Sequence, residues 1–382
     1  MSIWSMADIH GRTGKEGCDN MDHRQLTRIR VEGFKSIESA DIELNMVNVL
    51  IGSNGSGKTN FISVLSLLQA LIAGDLQNYV ARKGGPDSFL YWGRKRTEKM
   101  SVEFYFGNNG YRFSLMPTAN NQFMIADEAF YWNINGWNKL PSTGTVESSW
   151  KSGTGTHIDE YVQPLLENQN WRVYHFHDTS DSAYVKQLQG INDNIEMADD
   201  ARNLAAFLYR LRETAPAAYQ RIVKTVQMAA PYFNDFVLRP NPLNPEKISL
   251  EWKADGSDVP FIAAQLSDGT LRFICLATLL LQPVELQPET ILIDEPELGL
   301  HPYAIQLLAS MIKKAAKERQ IIVSTQSVEL LNEFQAEDVL VVEHKHKSTT
   351  FKRVDEEKLA VWLEDDYTLG DLWKHNLLGG RP

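Results

Sequence analysis

The hydrophobic positions change period along the chain, and each change marks a different element. Thr27–Phe34 alternates apolar and polar side chains, as a half-buried strand does, and Ala40–Leu44 reads as its hairpin partner. Val47–Ile51 is a short apolar run ending at a glycine, the pattern of a parallel strand covered on both faces. Beyond it, Phe61, Val64, Leu65, Leu67 and Leu68 fall at helical spacing. Ser101–Phe106, Tyr111–Met116 and Phe123–Trp132 predict an antiparallel meander broken at Gly107–Gly110. The Ser-, Thr- and Gly-rich stretch Pro141–Gly155 predicts a surface loop.

Asp199–Gln227 predicts a helix with Leu204, Phe207, Leu208 and Leu211 on one face, and Leu266–Leu281 a second, buried one. No heptad pattern persists, which excludes a long coiled-coil arm. Ile291–Ile293 and Ile321–Val323 are short aliphatic strands separated by a helix from Tyr303 to Arg319. That alternation predicts an α/β fold with a parallel sheet and helical crossovers. The expected organisation is an N-terminal extension over 1–26 and one domain over 27–382, with a helical or variable insertion at roughly 135–260.

Composition narrows the classes. With 382 residues, 43% of them hydrophobic, the chain can bury a large core and is neither fibrous nor disordered. No apolar run reaches the roughly eighteen residues that span a bilayer. Met1–Asn20 lacks the apolar centre of a secretory signal. Cys18 and Cys275 match no metal spacing, so a reducing, cytoplasmic setting is expected. A net charge of −11 argues against a surface that coats nucleic acid. Two basic stretches, Arg94-Lys95-Arg96 with Lys99 and Lys313-Lys314 with Lys317, read as solvated faces.

Three strings carry chemistry. Gly52-Ser53-Asn54-Gly55-Ser56-Gly57-Lys58-Thr59 fits G-x-x-x-x-G-K-[ST] between a strand and a helix. Its glycines let successive backbone N–H groups turn toward phosphate oxygens, and the helix adds its positive end. Lys58 is placed to reach the β- and γ-phosphates and Thr59 to ligate magnesium. Asp294 and Glu295 end an apolar strand, where neighbouring side chains point opposite ways. Asp294 suits metal holding, and Glu295 suits polarising an attacking water. Leu266-Ser267-Asp268-Gly269 opens a helix and offers a hydroxyl, a bare N–H and a helix dipole. One chain cannot easily bring both phosphate-binding devices to one γ-phosphate, so the second is expected to act across a dimer. Taken alone, Ser267 also reads as an ordinary helix cap. His175 and His177, with Asp178, stand at strand spacing and could share a metal, but structural histidines are the favoured reading.

In combination, Gly52–Thr59, Leu266–Gly269, Asp294-Glu295-Pro296 and the following Glu297–Pro302 resemble the Walker A, signature, Walker B and D-loop of ABC-type ATPase heads. The likeness is closest to the RecF-like and SMC-like ATPases and the ATPase part of the OLD family. Arg30–Ile37 is similar to that group's first strand, and Thr368–Gly370 with Leu377–Gly380 is a weaker match. The resemblance runs from Thr27 to Pro382. It implies a mixed sheet around a phosphate loop, an antiparallel β subdomain and a helical lobe. ATP and Mg2+ are the implied cofactors. Lys35, Ser53–Asn60, and Ser267 with Gly269 from a second copy, would surround the nucleotide; Thr59 and Asp294 would hold the metal. The implied partner arrangement is a nucleotide-sandwich homodimer acting on a separate effector, a nuclease or toxin in prokaryotic antiviral defence, away from the membrane. A RecF-like DNA clamp using Arg94–Lys99, or a slow nucleotide-held scaffold, are the alternatives.

The chain departs from the family at several places. Gln326 stands where such heads carry a switch histidine, and glutamine cannot become cationic, which implies slow hydrolysis with Glu295 and Gln326 as the catalytic pair. No Q-loop glutamine is evident; Gln69 lies within a helix. Glu343 ends an apolar strand as the first element of an OLD nuclease domain would, yet it reads as a strand-end residue.

Overall fold

Alternation along the buried strands sorts their side chains onto two faces of one sheet, and that sorting builds the architecture. The computed structural model describes residues 24–167, 170–355, 359 and 367–380; Cys18 and most of the expected extension lie outside them. The central sheet runs in the order Ser348–Arg353, Val339–Lys345, Val47–Ile51, Gln320–Thr325, Thr290–Asp294, Trp171–Tyr174. All neighbours are parallel except the Ser348–Arg353 edge. Val49, Ile51, Ile291, Ile293, Ile321 and Val323 enter a core with helices Leu204–Thr214, Pro216–Ala229, Asp268–Leu281 and Pro302–Ala315. Leu50, Leu292, Ile322, Leu340 and Val342 enter the opposite core with helix Lys58–Ala73. That second core is closed by an antiparallel sheet ordered Ile37–Glu43, Arg28–Phe34, Met100–Phe106, Asn109–Pro117, Phe123–Trp132, Gly136–Lys139. The mixed sheet, antiparallel subdomain and helical lobe are therefore as the sequence implies. Among the described residues, no helix is long and apolar enough to cross a membrane.

Two local expectations need correction. The helix expected over Asp199–Gln227 is two helices, broken where Ala215 leaves helical geometry (φ −141°, ψ 57°) ahead of Pro216. Proline lacks the N–H that would continue the ladder and pushes its predecessor out of the α region. The Pro141–Gly155 stretch is not simply a surface loop, because it folds over a buried carboxylate. Glu128, fully buried, accepts hydrogen bonds from the hydroxyls of Tyr111, Ser142 and Ser148. Trp150 is drawn in with them and donates from its ring N–H to Ile72 O at 2.9 Å. Burial and the neighbouring Glu128 carboxylate hold the Tyr111 phenol well above its usual pKa. Glu128→Ala would strand two buried donors and the half-buried Ser148 hydroxyl at once. It should lower stability by roughly 3 kcal/mol or more, and a thermal melt showing an unchanged Tm would refute the role given to this carboxylate.

Candidate nucleotide site

The phosphate loop sits where the central strand Val47–Ile51 ends, and close backbone approaches explain its glycines. A Cβ on Gly52 would overlap the Val342 carbonyl oxygen, and one on Gly57 would overlap the Thr349 side chain. Gly57 also has φ 114°, a conformation that side chains other than glycine's resist. Three distant segments brace the loop. Thr349 Oγ1 donates to Ser56 O at 2.9 Å and pairs with Ser36 Oγ at 2.7 Å; Asn60 Nδ2 donates to Ser36 Oγ at 2.6 Å. Ser53 N donates to Gly380 O at 2.8 Å, and Gly380 N to Glu343 Oε1 at 2.6 Å. Glu343 is thus a strand residue that anchors the Gly379-Gly380 turn.

The loop fits a polyphosphate. Asn54, Gly55 and Thr59 are exposed, and a Cβ on Gly55 would meet nothing within 4 Å, so the mouth is open. The Ser56 hydroxyl is buried with no partner. Lys58 is 5% exposed, and its ammonium donates to Gly52 O at 2.5 Å and Ser53 O at 3.2 Å. Burial pulls its pKa below the usual lysine value, while Glu295, Asp294 and Glu297 pull the other way. One cation therefore lies in the field of three carboxylates at and just beyond the end of the strand Thr290–Asp294, two places away in the sheet.

Those carboxylates have different surroundings. Asp294 is the last residue of its strand and lies beside His175, with Nδ1 and Oδ2 4.0 Å apart. Glu295 leaves the strand at φ 42°, in the left-handed region and directly before Pro296. Such strain persists only where the surroundings enforce it, and it clusters at functional sites. Here the Glu295 N–H donates to Ser324 O at 2.8 Å and the Gln326 amide donates to the Glu295 carboxylate. The side chains of Asp294 and Glu295 are thus set apart by a backbone turn as well as by strand alternation. Glu297, not singled out in the sequence, is 8% exposed; its Oε1 accepts from Thr325 Oγ1 at 2.5 Å and Gln326 N at 3.1 Å. Burial raises its carboxyl above the usual range, and its Oε2 has no partner. Its place two residues after Glu295 was the available signal.

Lys35 lies against helix Lys58–Ala73, donating to Ser63 Oγ at 2.9 Å and sitting 5.6 Å from the Phe34 ring centre. Burial, with help from Lys83, pulls its pKa down to about 8. Ser267 caps its helix by accepting from Thr270 N at 3.2 Å, and it is exposed. Gly269 packs on its own chain: a Cβ there would overlap the Gly299 carbonyl oxygen. Gly269 is therefore required by the D-loop contact within the chain, whatever it does toward a second copy. Arg272 ties that region together, donating to Phe176 O at 3.2 Å, His177 O at 2.8 Å and Leu298 O at 2.9 Å.

Comparison with known proteins places this arrangement. Residues 47–332 match the family described as "AAA domain, putative AbiEii toxin, Type IV TA system". An OLD nuclease of Thermus scotoductus is 23% identical over 321 residues, covering 79% of this chain and 59% of the nuclease. The chain thus spans under two thirds of that relative's length. Among solved structures, an Smc head bound to the C-winged helix domain of ScpA superposes with TM-score 0.60 at 16% identity, covering 88% of this chain and 99% of the other. A Pyrococcus furiosus Smc head bound to the C-terminal domain of ScpA gives 0.57 at 16% identity, covering 89% and 99%. Those likenesses show the fold, which is that of an SMC-type ATPase head.

Proposed function

The chain belongs to this AAA domain family of SMC- and OLD-like ATPases, and on that premise we propose that it binds and hydrolyses ATP as a homodimer closing around nucleotide. The observation that carries the proposal is the phosphate loop itself, with buried Lys58, in the field of Asp294, Glu295 and Glu297, set behind the exposed Asn54, Gly55 and Thr59. Lys58 and the loop N–H groups neutralise and orient the phosphates. Thr59 and Asp294 would hold a magnesium ion, which supplies further charge neutralisation when bound. Glu295 accepts a proton from the attacking water, and Gln326 aims its carboxylate. Glutamine carries no positive charge for the transition state, which fits slow turnover.

Closure is read from Ser267, an exposed hydroxyl at a helix N-terminus beside the exposed D-loop residues Leu298 and Gly299. We further infer that closure governs a nuclease or toxin effector, of the sort used in antiviral defence, in line with the OLD nuclease relative and the family description. The clamp reading draws less support: Arg94 is engaged by Asp87, Thr118 O and Asn121, and Arg96 faces Glu38.

A mixing experiment tests the shared site. Lys58→Ala removes one half-site and Ser267→Arg the other; Ser267 suits this better than Gly269, whose own chain leaves no room for a side chain. Neither variant alone should dimerise with ATP, whereas the mixture holds one undamaged site per heterodimer and should dimerise by light scattering. A monomer turning over ATP at the full rate would end the proposal.

A further inference from the structure

We propose that His175, His177 and Asp294 form a binding site for one divalent cation of the nitrogen-accepting class, such as Mn2+, Co2+ or Zn2+. The inference rests on the nucleotide reading only through Asp294, which that reading makes a metal ligand. Asp178, the carboxylate adjacent to the histidines in sequence, is not the third member. Its Oδ1 accepts from Ser180 N at 3.1 Å and Ser180 Oγ at 2.7 Å. Sheet pairing supplies the third member instead. Trp171–Tyr174 runs parallel to Thr290–Asp294, with Tyr174 opposite Ile293, so the next residue on each strand, His175 and Asp294, emerge side by side.

One ligand atom from each of the three residues lies within 4.8 Å of the others. Ligand atoms about 2.1 Å from a tetrahedral ion stand about 3.4 Å apart. A contraction of at most about 1.4 Å completes the group, a shift within reach of rotation about the side-chain bonds of the exposed His175. His177 Nε2 lies 2.8 Å from Asp294 O, which ties the ring to the strand end; in the tautomer that donates there, the lone pair is on Nδ1. The backbone that carries the pair is fixed as well, because Arg272 holds the carbonyls of both Phe176 and His177. Two imidazoles and one carboxylate suit borderline ions, whereas magnesium prefers an all-oxygen shell. The same carboxylate that faces the phosphate loop is thereby coupled to a nitrogen-liganded ion before nucleotide arrives.

Electron paramagnetic resonance of the nucleotide-free chain with Mn2+ tests this directly. One Mn2+ should bind per chain, and its echo modulation should report coupling to nitrogen. His175→Asn should weaken binding by about tenfold or more. Adding His177→Gln, which keeps a donor for the Asp294 carbonyl and so protects the fold, should abolish the nitrogen coupling. No bound Mn2+ at millimolar concentration, binding without nitrogen coupling, or indifference to both substitutions would each overturn the site. ATP affinity measured in excess Mg2+ on the same samples separates the two readings. ATP binding without nitrogen-coupled Mn2+ sinks the metal site alone; nitrogen-coupled Mn2+ without ATP binding sinks the nucleotide reading alone.

Discussion

Lys58→Ala should weaken ATP binding by about 100-fold or more while leaving the melting temperature nearly unchanged. Each hydrogen bond from an ammonium to a phosphate oxygen contributes roughly 1.5–3 kcal/mol, and every 1.4 kcal/mol is about a factor of ten. Two such bonds therefore account for the loss. Stability is spared because the lysine is held in the fold against its own burial, which pulls its pKa down. Removing it relieves that penalty and leaves Gly52 O and Ser53 O without the ammonium; these effects oppose each other. Three carboxylates would also face incoming phosphate with no cation between them. Calorimetric titration with ATP, beside a thermal melt, is the measurement. Binding at wild-type strength would remove the nucleotide from this loop.

The second large effect is expected at Glu295. Glu295→Gln should cut single-turnover hydrolysis by on the order of 100- to 10,000-fold, the usual contribution of a general base. ATP affinity should remain, and the closed dimer should accumulate. The geometry favours a clean result, since the Gln326 amide donates to the Glu295 carboxylate. An amide in that place offers a carbonyl oxygen to the same donor, so the strained turn at φ 42° keeps its partner. Only the proton acceptor is lost. Hydrolysis at an undiminished rate would assign the water to another group, with the buried Glu297 next in line.

The motifs legible in the sequence are those whose parts are neighbours along the chain. Gly52–Thr59 is a strand end, a curl and a helix start in eight consecutive positions, and Asp294-Glu295 rides on one strand. What sequence reading missed is what pairing assembles. Nothing local shows that Trp171–Tyr174 lies beside Thr290–Asp294, so the histidines were given Asp178 as a companion. Thr349 and Gly380 reach the phosphate loop from the far end of the chain, and no spacing rule announces them. Polar composition marked Pro141–Gly155 as solvent-facing, whereas the buried carboxyl oxygens of Glu128 draw its serines inward as hydrogen-bond donors. The break at Pro216 was readable; the apolar periodicity continued through it and outweighed the proline.

The order of strands in the central sheet also bears on how the protein comes into being. The antiparallel sheet pairs only residues between Arg28 and Lys139, so it can form while the ribosome is still at work. Val47–Ile51, by contrast, waits for Gln320–Thr325 on one side and Val339–Lys345 on the other. Pairings so remote along the chain are slow to close. For most of its synthesis the emerging polypeptide thus carries a complete phosphate-loop sequence with no sheet to hold it. The loop acquires its full bracing only once Thr349 and Gly380, near the end of the chain, have also been made.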